Sequence, residues 1–137
     1  MFKINISHKG KTYKIETENE ILIGKKIGGT IEGSEINDYL KNYELEITGT
    51  SDIAGIPGIS GLEGHHYHRK LLKYGKGMKD RRKGIRLRKT LRGEEINSKT
   101  IQINTKVIKE GDKKFDELIK KTISEKEEKQ VVEQSAI

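Results

Sequence analysis

Cysteine and tryptophan are absent from this chain of 137 residues, which holds one proline and two phenylalanines. Lack of cysteine excludes a disulfide framework, a thiolate metal site and a cysteine nucleophile, and it fits a reducing compartment. No apolar run approaches the ~20 residues that cross a bilayer. The start, MFKINISHKGK, lacks the continuous apolar stretch of a signal peptide, so a cytoplasmic protein is expected. Catalytic patterns are missing too: there is no G-x-S-x-G, no H-E-x-x-H and no kinase-type set. Asp52 and Glu63 have no identifiable partner with which to divide acid and base roles. The expectation is a non-enzymatic protein without cofactor. Hydrophobic residues make up 31% and charged residues 36% of the chain, which allows one modest domain with a lean core.

Positive charge is abundant, and it is concentrated. Between His65 and Arg92 stand Arg69, Lys70, Lys73, Lys76, Lys79, Arg81, Arg82, Lys83, Arg86, Arg88, Lys89 and Arg92 against a single acid, Asp80. These 12 bases and one acid give +11; since the whole chain carries +7, the remainder carries −4. A solvated face normally mixes signs, whereas this run does not, and its self-repulsion calls for a polyanion. A membrane-binding helix would set such residues beside a broad apolar face. Gly75, Gly77, Gly84 and Gly93 interrupt the run instead, so nucleic acid is the better partner. No helix-turn-helix, zinc-finger or zipper pattern is present, which points to reading of phosphate position and shape.

The first half reads as short strands. Phe2, Ile4 and Ile6 alternate with polar residues, and after His8-Lys9-Gly10-Lys11 the alternation resumes at Tyr13 and Ile15, a hairpin pattern. Ile21 to Ile23 form a short apolar run. Tyr43, Leu45 and Ile47 share one face of a further strand, and Ile101, Ile103, Val107 and Ile108 mark an inward face in Thr100 to Ile108. The count predicts a mainly β fold, a small antiparallel sheet closed into a β-barrel. The segment from Gly49 to Gly64, with further glycines at Gly55, Gly58 and Gly61 and the lone Pro57, is expected as a long glycine-rich loop. Asp112 is the expected N-cap for one short C-terminal helix through Phe115, Leu118, Ile119, Thr122 and Ile123. Residues 1–123 are thus expected as a single domain carrying the basic segment 65–92 as an extension. Ser124 to Ile137 are expected to form a flexible tail.

Read as a strand, Ile85, Leu87 and Leu91 point to the core while Arg86, Arg88, Thr90 and Arg92 point outward. Guanidinium groups in a row engage phosphate through planar forks and also stack on bases. Residues 75–84 read as a basic loop that takes one shape only with a partner. His65-His66-Tyr67-His68 could suggest a metal, but without cysteine or a second clustered pair these imidazoles are better read as facing RNA. Gly24 to Gly33 lacks the order G-x-x-x-x-G-K-S/T of a phosphate loop, and turn glycines account for it.

Arg81-Arg82-Lys83-Gly84, Arg86, Arg88-Lys89-Thr90-Leu91-Arg92-Gly93 and Gln102-Ile103-Asn104-Thr105-Lys106-Val107 resemble the archaeal branch of the small-subunit ribosomal protein S6e family. Gly24-Lys25-Lys26-Ile27-Gly28 with Gly33, and Glu46-Ile47-Thr48-Gly49-Thr50-Ser51-Asp52 with Gly55 and Pro57, fall in the same order as in that family. The chain departs from it at Ile56-Pro57-Gly58, where Phe-Pro-Met is usual, at Asp80, an acid inside the patch, and at Leu87, where a base is common. The resemblance implies a β-barrel structural component of the small ribosomal subunit whose partners are small-subunit rRNA and neighbouring ribosomal proteins. The twelve bases named above would then stabilise the packing of rRNA helices. The alternative is a freestanding RNA-binding barrel, such as an RNA chaperone or translation-associated factor.

Overall fold

The computed structural model describes residues 1–136. Seven strands form: β1 (Phe2–His8), β2 (Lys11–Thr17), β3 (Thr30–Glu32), β4 (Glu44–Asp52), β5 (Tyr67–Leu72), β6 (Leu87–Arg92) and β7 (Thr100–Lys109); one helix, α1 (Phe115–Ser135), follows. Five strands make one sheet in the order β2-β1-β7-β4-β3, and β5 and β6 form a separate antiparallel ribbon. The predicted hairpin is β1–β2, with Ile4 opposite Ile15 and Ile6 opposite Tyr13. Its turn places Lys9 and Gly10 at positive φ.

The sheet does not close into a barrel. Its edges, β2 and the three-residue β3, do not pair with each other. It is also mixed, because β1 runs parallel to β7 while the other neighbours are antiparallel. The parallel seam is tied by side chains: Asn5 Nδ2 donates to Asn104 Oδ1 at 3.2 Å, and Thr105 Oγ1 donates to the Asn5 carbonyl at 3.1 Å. Closure is unnecessary because other parts of the chain cover the apolar face. Phe2, Ile4, Ile6, Leu45, Ile47 and Ile103 pack in one cluster with Leu22, Ile36 and Leu40 from short 3-10 turns and with Phe115 and Leu118 from α1. Burial, the main stabilising term, is completed by these plugs instead of by edge pairing.

Local expectations fail where a residue's surroundings come from distant segments. In the Ile21 to Ile23 run only Leu22 is buried, because a 3-10 turn and not a strand presents it. In β7, Ile103 is buried but Ile108 lies exposed on the opposite phase from Val107. The expected cap Asp112 instead accepts a hydrogen bond from Asn42 Nδ2, and Lys114 precedes the helix without a side-chain cap. The helix continues well past Ile123. Residues 124–135 contain no glycine or proline and are rich in the helix formers Glu, Lys and Gln, with Glu125 and Lys129 at the favourable i, i+4 spacing. All are exposed, so this half of the helix owes its form to local propensity; Ile137, the last residue of the expected tail, lies outside the described residues. Near its start α1 is held to the hairpin by Lys11 Nζ to Asp116 Oδ1 at 2.5 Å and Thr122 Oγ1 to the Tyr13 hydroxyl at 2.7 Å.

Candidate nucleic-acid interface

The basic segment is a twisted arm built on β5 and β6. Its register pairs Tyr67 with Arg92, Arg69 with Thr90, Lys70 with Lys89, Leu71 with Arg88 and Leu72 with Leu87. Because side chains alternate, one face carries Arg69, Arg88 and Thr90, and the other carries Lys70 and Lys89 beside Leu72 and Leu91. The two kinds of cation are therefore sorted to opposite faces. On the arginine face, Arg69 Nη1 donates to Thr90 Oγ1 at 3.2 Å. On the lysine face, a turn folds over the ribbon, and Met78 and Leu91 are buried there.

That turn is more defined than a loop awaiting a partner. Gly75 and Met78 exchange both backbone hydrogen bonds at 3.1 Å, and Gly77, at φ +81°, lies against Leu91 and Leu72. Lys76 Nζ donates to the Thr48 carbonyl of β4 at 2.9 Å, tying the turn to the main sheet. Asp80 accepts from Arg82 through Nε and Nη2, the shortest distance being 2.7 Å. The Arg82 side chain and its backbone N–H lower the Asp80 pKa from its ordinary value. The acid inside the patch thus occupies one arginine and shapes the chain at residues 80–82.

Eleven of the twelve expected bases are exposed: Arg69, Lys70, Lys73, Lys76, Lys79, Arg81, Arg82, Lys83, Arg86, Arg88 and Lys89. The twelfth, Arg92, does not point outward as the alternation predicts. Its side chain is 5% exposed and faces Asp52, whose side chain is 2% exposed. Nε and Nη2 of Arg92 donate to Asp52 Oδ2 at 3.2 and 3.0 Å, and Nη1 donates to the His65 carbonyl at 2.8 Å. The guanidinium carbon lies 4.2 Å from the Tyr67 ring centroid, and the Tyr67 hydroxyl donates to Asp52 Oδ2 at 2.7 Å. Burial pushes the Asp52 carboxyl upward in pKa, but hydrogen bonds from Tyr67, the Ile56 N–H and Arg92 outweigh it and leave the value lowered. The carboxylate stays ionised at neutral pH and clamps the root of the arm.

Two features create the clamp. Opposite β7, Ile47 pairs with Thr105 and Gly49 with Asn104, so Thr48 is an extra residue and β4 is bulged there. Before the bulge Leu45 and Ile47 point inward; after it the phase changes, and Thr50 and Asp52 point inward. The second feature is the segment expected as a loop. Gly49 to Asp52 belong to β4, and Pro57 and Gly58 lie between β4 and β6, with Gly58 N–H donating to the Thr50 carbonyl at 3.0 Å and Arg92 N–H to the Pro57 carbonyl at 3.0 Å. Arg92 is thereby covered on both sides. Ile85 is half-buried and Leu87 exposed, because the distal ribbon has no second layer against it.

The His65 and His66 rings lie with centroids 4.2 Å apart at an interplanar angle of 37°, and His68 Nε2 lies 3.2 Å from the Glu63 carbonyl. No group of three or more metal-ligating side chains occurs among the described residues, and no helix there is long and apolar enough to cross a membrane. Asp52 and Tyr67 are the residues that sequence reasoning left without a role. Gly49 inside a strand, a common mark of a bulge, is the one local sign that the phase of β4 could change.

Known proteins are similar to this sequence over most of its length. A family model described as ribosomal protein S6e matches residues 2–120. Small ribosomal subunit protein eS6 of Methanococcus maripaludis is 45% identical over 112 residues, covering 80% of this chain and 89% of that protein. The protein of the same name from Methanocaldococcus jannaschii is 42% identical over 80% of this chain and 82% of its own. That of Nanoarchaeum equitans is 42% identical over 86% of this chain and 87% of its own.

Proposed function

Because the chain belongs to the ribosomal protein S6e family, whose role is structural and not enzymatic, we propose that it binds small-subunit rRNA with both faces of the β5–β6 arm and stabilises the packing of rRNA helices against each other. The observation that carries this reading is the gathering of eleven exposed cations on one arm, four on the β5–β6 ribbon and seven on the segment that joins its strands, with the root clamped by a buried ion pair. A ribbon charged on both faces can lie between two phosphate backbones and relieve their mutual repulsion. Arg69 and Arg88 on one face favour two-point engagement of phosphate, while Lys70 and Lys89 on the other act as point charges. Neighbouring ribosomal proteins are the further partners, and the ribosome in the cytoplasm is the place of work.

Two measurements test the proposal. Quantitative mass spectrometry of gradient-purified particles after a high-salt wash should find one copy per small subunit; loss into the soluble fraction would favour the freestanding RNA binder. Replacing Arg81, Arg82, Arg86 and Arg88 together by Ser should abolish tight rRNA binding with the sheet still folded. It should also flatten the slope of log K against log salt by roughly 3 to 4, about 0.7–0.9 for each phosphate no longer neutralised. Unchanged affinity and slope in a folded variant would sink it.

A further inference from the structure

The arm contains two tyrosines, and the fold uses them differently. Tyr67 is committed: its ring lies against the Arg92 guanidinium and its hydroxyl donates to Asp52. Tyr74 carries no such duty. It lies just beyond the end of β5, is 56% exposed, and has the Arg81 guanidinium 5.2 Å from its ring centroid. The ring opens onto a notch of about 320 Å³ walled by Lys73 and residues 81–86.

Phosphate recognition alone does not account for this arrangement. Cations need no aromatic neighbour to hold a phosphate, yet Tyr74 keeps more than half of its surface open to water with the Arg81 guanidinium beside its ring. A flat π-face flanked by a guanidinium, the half-buried Ile85 and several cations matches the parts of a nucleotide: the base takes the ring, and its phosphates take Lys73 and Arg86. The volume sits at the small end of ligand pockets, which run from ~300 to 1,000 Å³, and suits one nucleotide. A paired and stacked base has no free face to offer. We propose that the notch receives one unpaired RNA base, stacked on the Tyr74 ring with Arg81 backing it, at a bulge or extruded position. This rests on the rRNA-binding reading and adds to it a recognition element beyond charge.

The test uses the full chain, a synthetic RNA hairpin with one bulged 2-aminopurine in its stem, and the same hairpin fully paired, at a fixed low salt. The wild type should bind the bulged hairpin roughly tenfold more tightly, the scale of one base–aromatic stack, and binding should change the 2-aminopurine fluorescence. Tyr74→Phe should keep both effects; Tyr74→Ala and Tyr74→Leu should lose the preference while still binding the paired hairpin as the wild type does. Circular dichroism establishes that each variant is folded. Equal affinity of the wild type for the two hairpins, or a preference that survives Tyr74→Ala, overturns the inference and leaves the phosphate-binding reading standing. Equal weakening toward both hairpins in Tyr74→Ala also overturns it, by making Tyr74 a packing residue. Failure of the wild type to bind either hairpin removes the rRNA-binding reading itself.

Discussion

Replacing Arg92 by Met removes the guanidinium but keeps much of the apolar stem, and it isolates the value of the clamp. The change deletes two hydrogen bonds to Asp52 and one to the His65 carbonyl, leaving a carboxylate that is 2% exposed with only Tyr67 and the Ile56 N–H as donors. Breaking a buried pair from one side costs about 3–5 kcal/mol, because the surviving charge stays desolvated. An exposed pair would contribute ~0–1 kcal/mol. Set against the ~5–15 kcal/mol that stabilises a typical domain, the loss should lower Tm by on the order of 10–20 °C. Urea melts followed by circular dichroism give the free energy, and a double-mutant cycle with Asp52→Asn separates the pair from its surroundings. The double variant should be more stable than Arg92→Met alone, since neutralising Asp52 removes the uncompensated charge. A loss below about 1 kcal/mol for Arg92→Met, or no rescue in the double variant, would refute the clamp.

The same carboxylate predicts a pH dependence. Its folded pKa is lowered, so its contribution is fully present above the unfolded value of about 3.9 and is lost as pH falls through the lower folded value. The stability gap between the wild type and Asp52→Asn should stay flat from neutrality to about pH 5 and shrink below about pH 4; a gap that widens with acid would contradict the direction. At the arm's root, Gly93 donates its N–H to the His66 carbonyl at 3.0 Å, and a Cβ there would overlap the Gly64 carbonyl. Gly93→Ala should therefore destabilise by about 1–3 kcal/mol or more, measured by thermal melting, whereas an unchanged Tm would show that the segment shifts freely. Removing residues 124–137 should change stability by no more than ~0.5 kcal/mol while reducing the helical dichroism signal, because residues 124–136 are exposed. A large fall in Tm would show that the distal helix supports the domain.

The parts legible in the sequence are those governed by local period and local charge. Phe2, Ile4 and Ile6 identify an inward strand face because alternation is a property of the extended backbone itself. Tyr43, Leu45 and Ile47 do the same, and all three are buried. The concentration of cations between Arg69 and Arg92 also needs no fold to be seen. Family membership is equally a matter of the order of residues along the chain.

Tertiary structure alone decided how those faces are used. The bulge at Thr48 arises from pairing with β7 and reverses the phase of β4, so Asp52 turns inward where unbroken alternation would have placed Ser51. Arg92 is buried because Pro57, Gly58 and β4 cover it from segments far along the chain. The alternation of β6 could say which residues share a face, yet not whether that face meets water. The sheet stays open because short turns and α1 cover its apolar face. Period and charge belong to a segment, whereas burial and pairing belong to whatever lies against it, and that is supplied only when the chain folds.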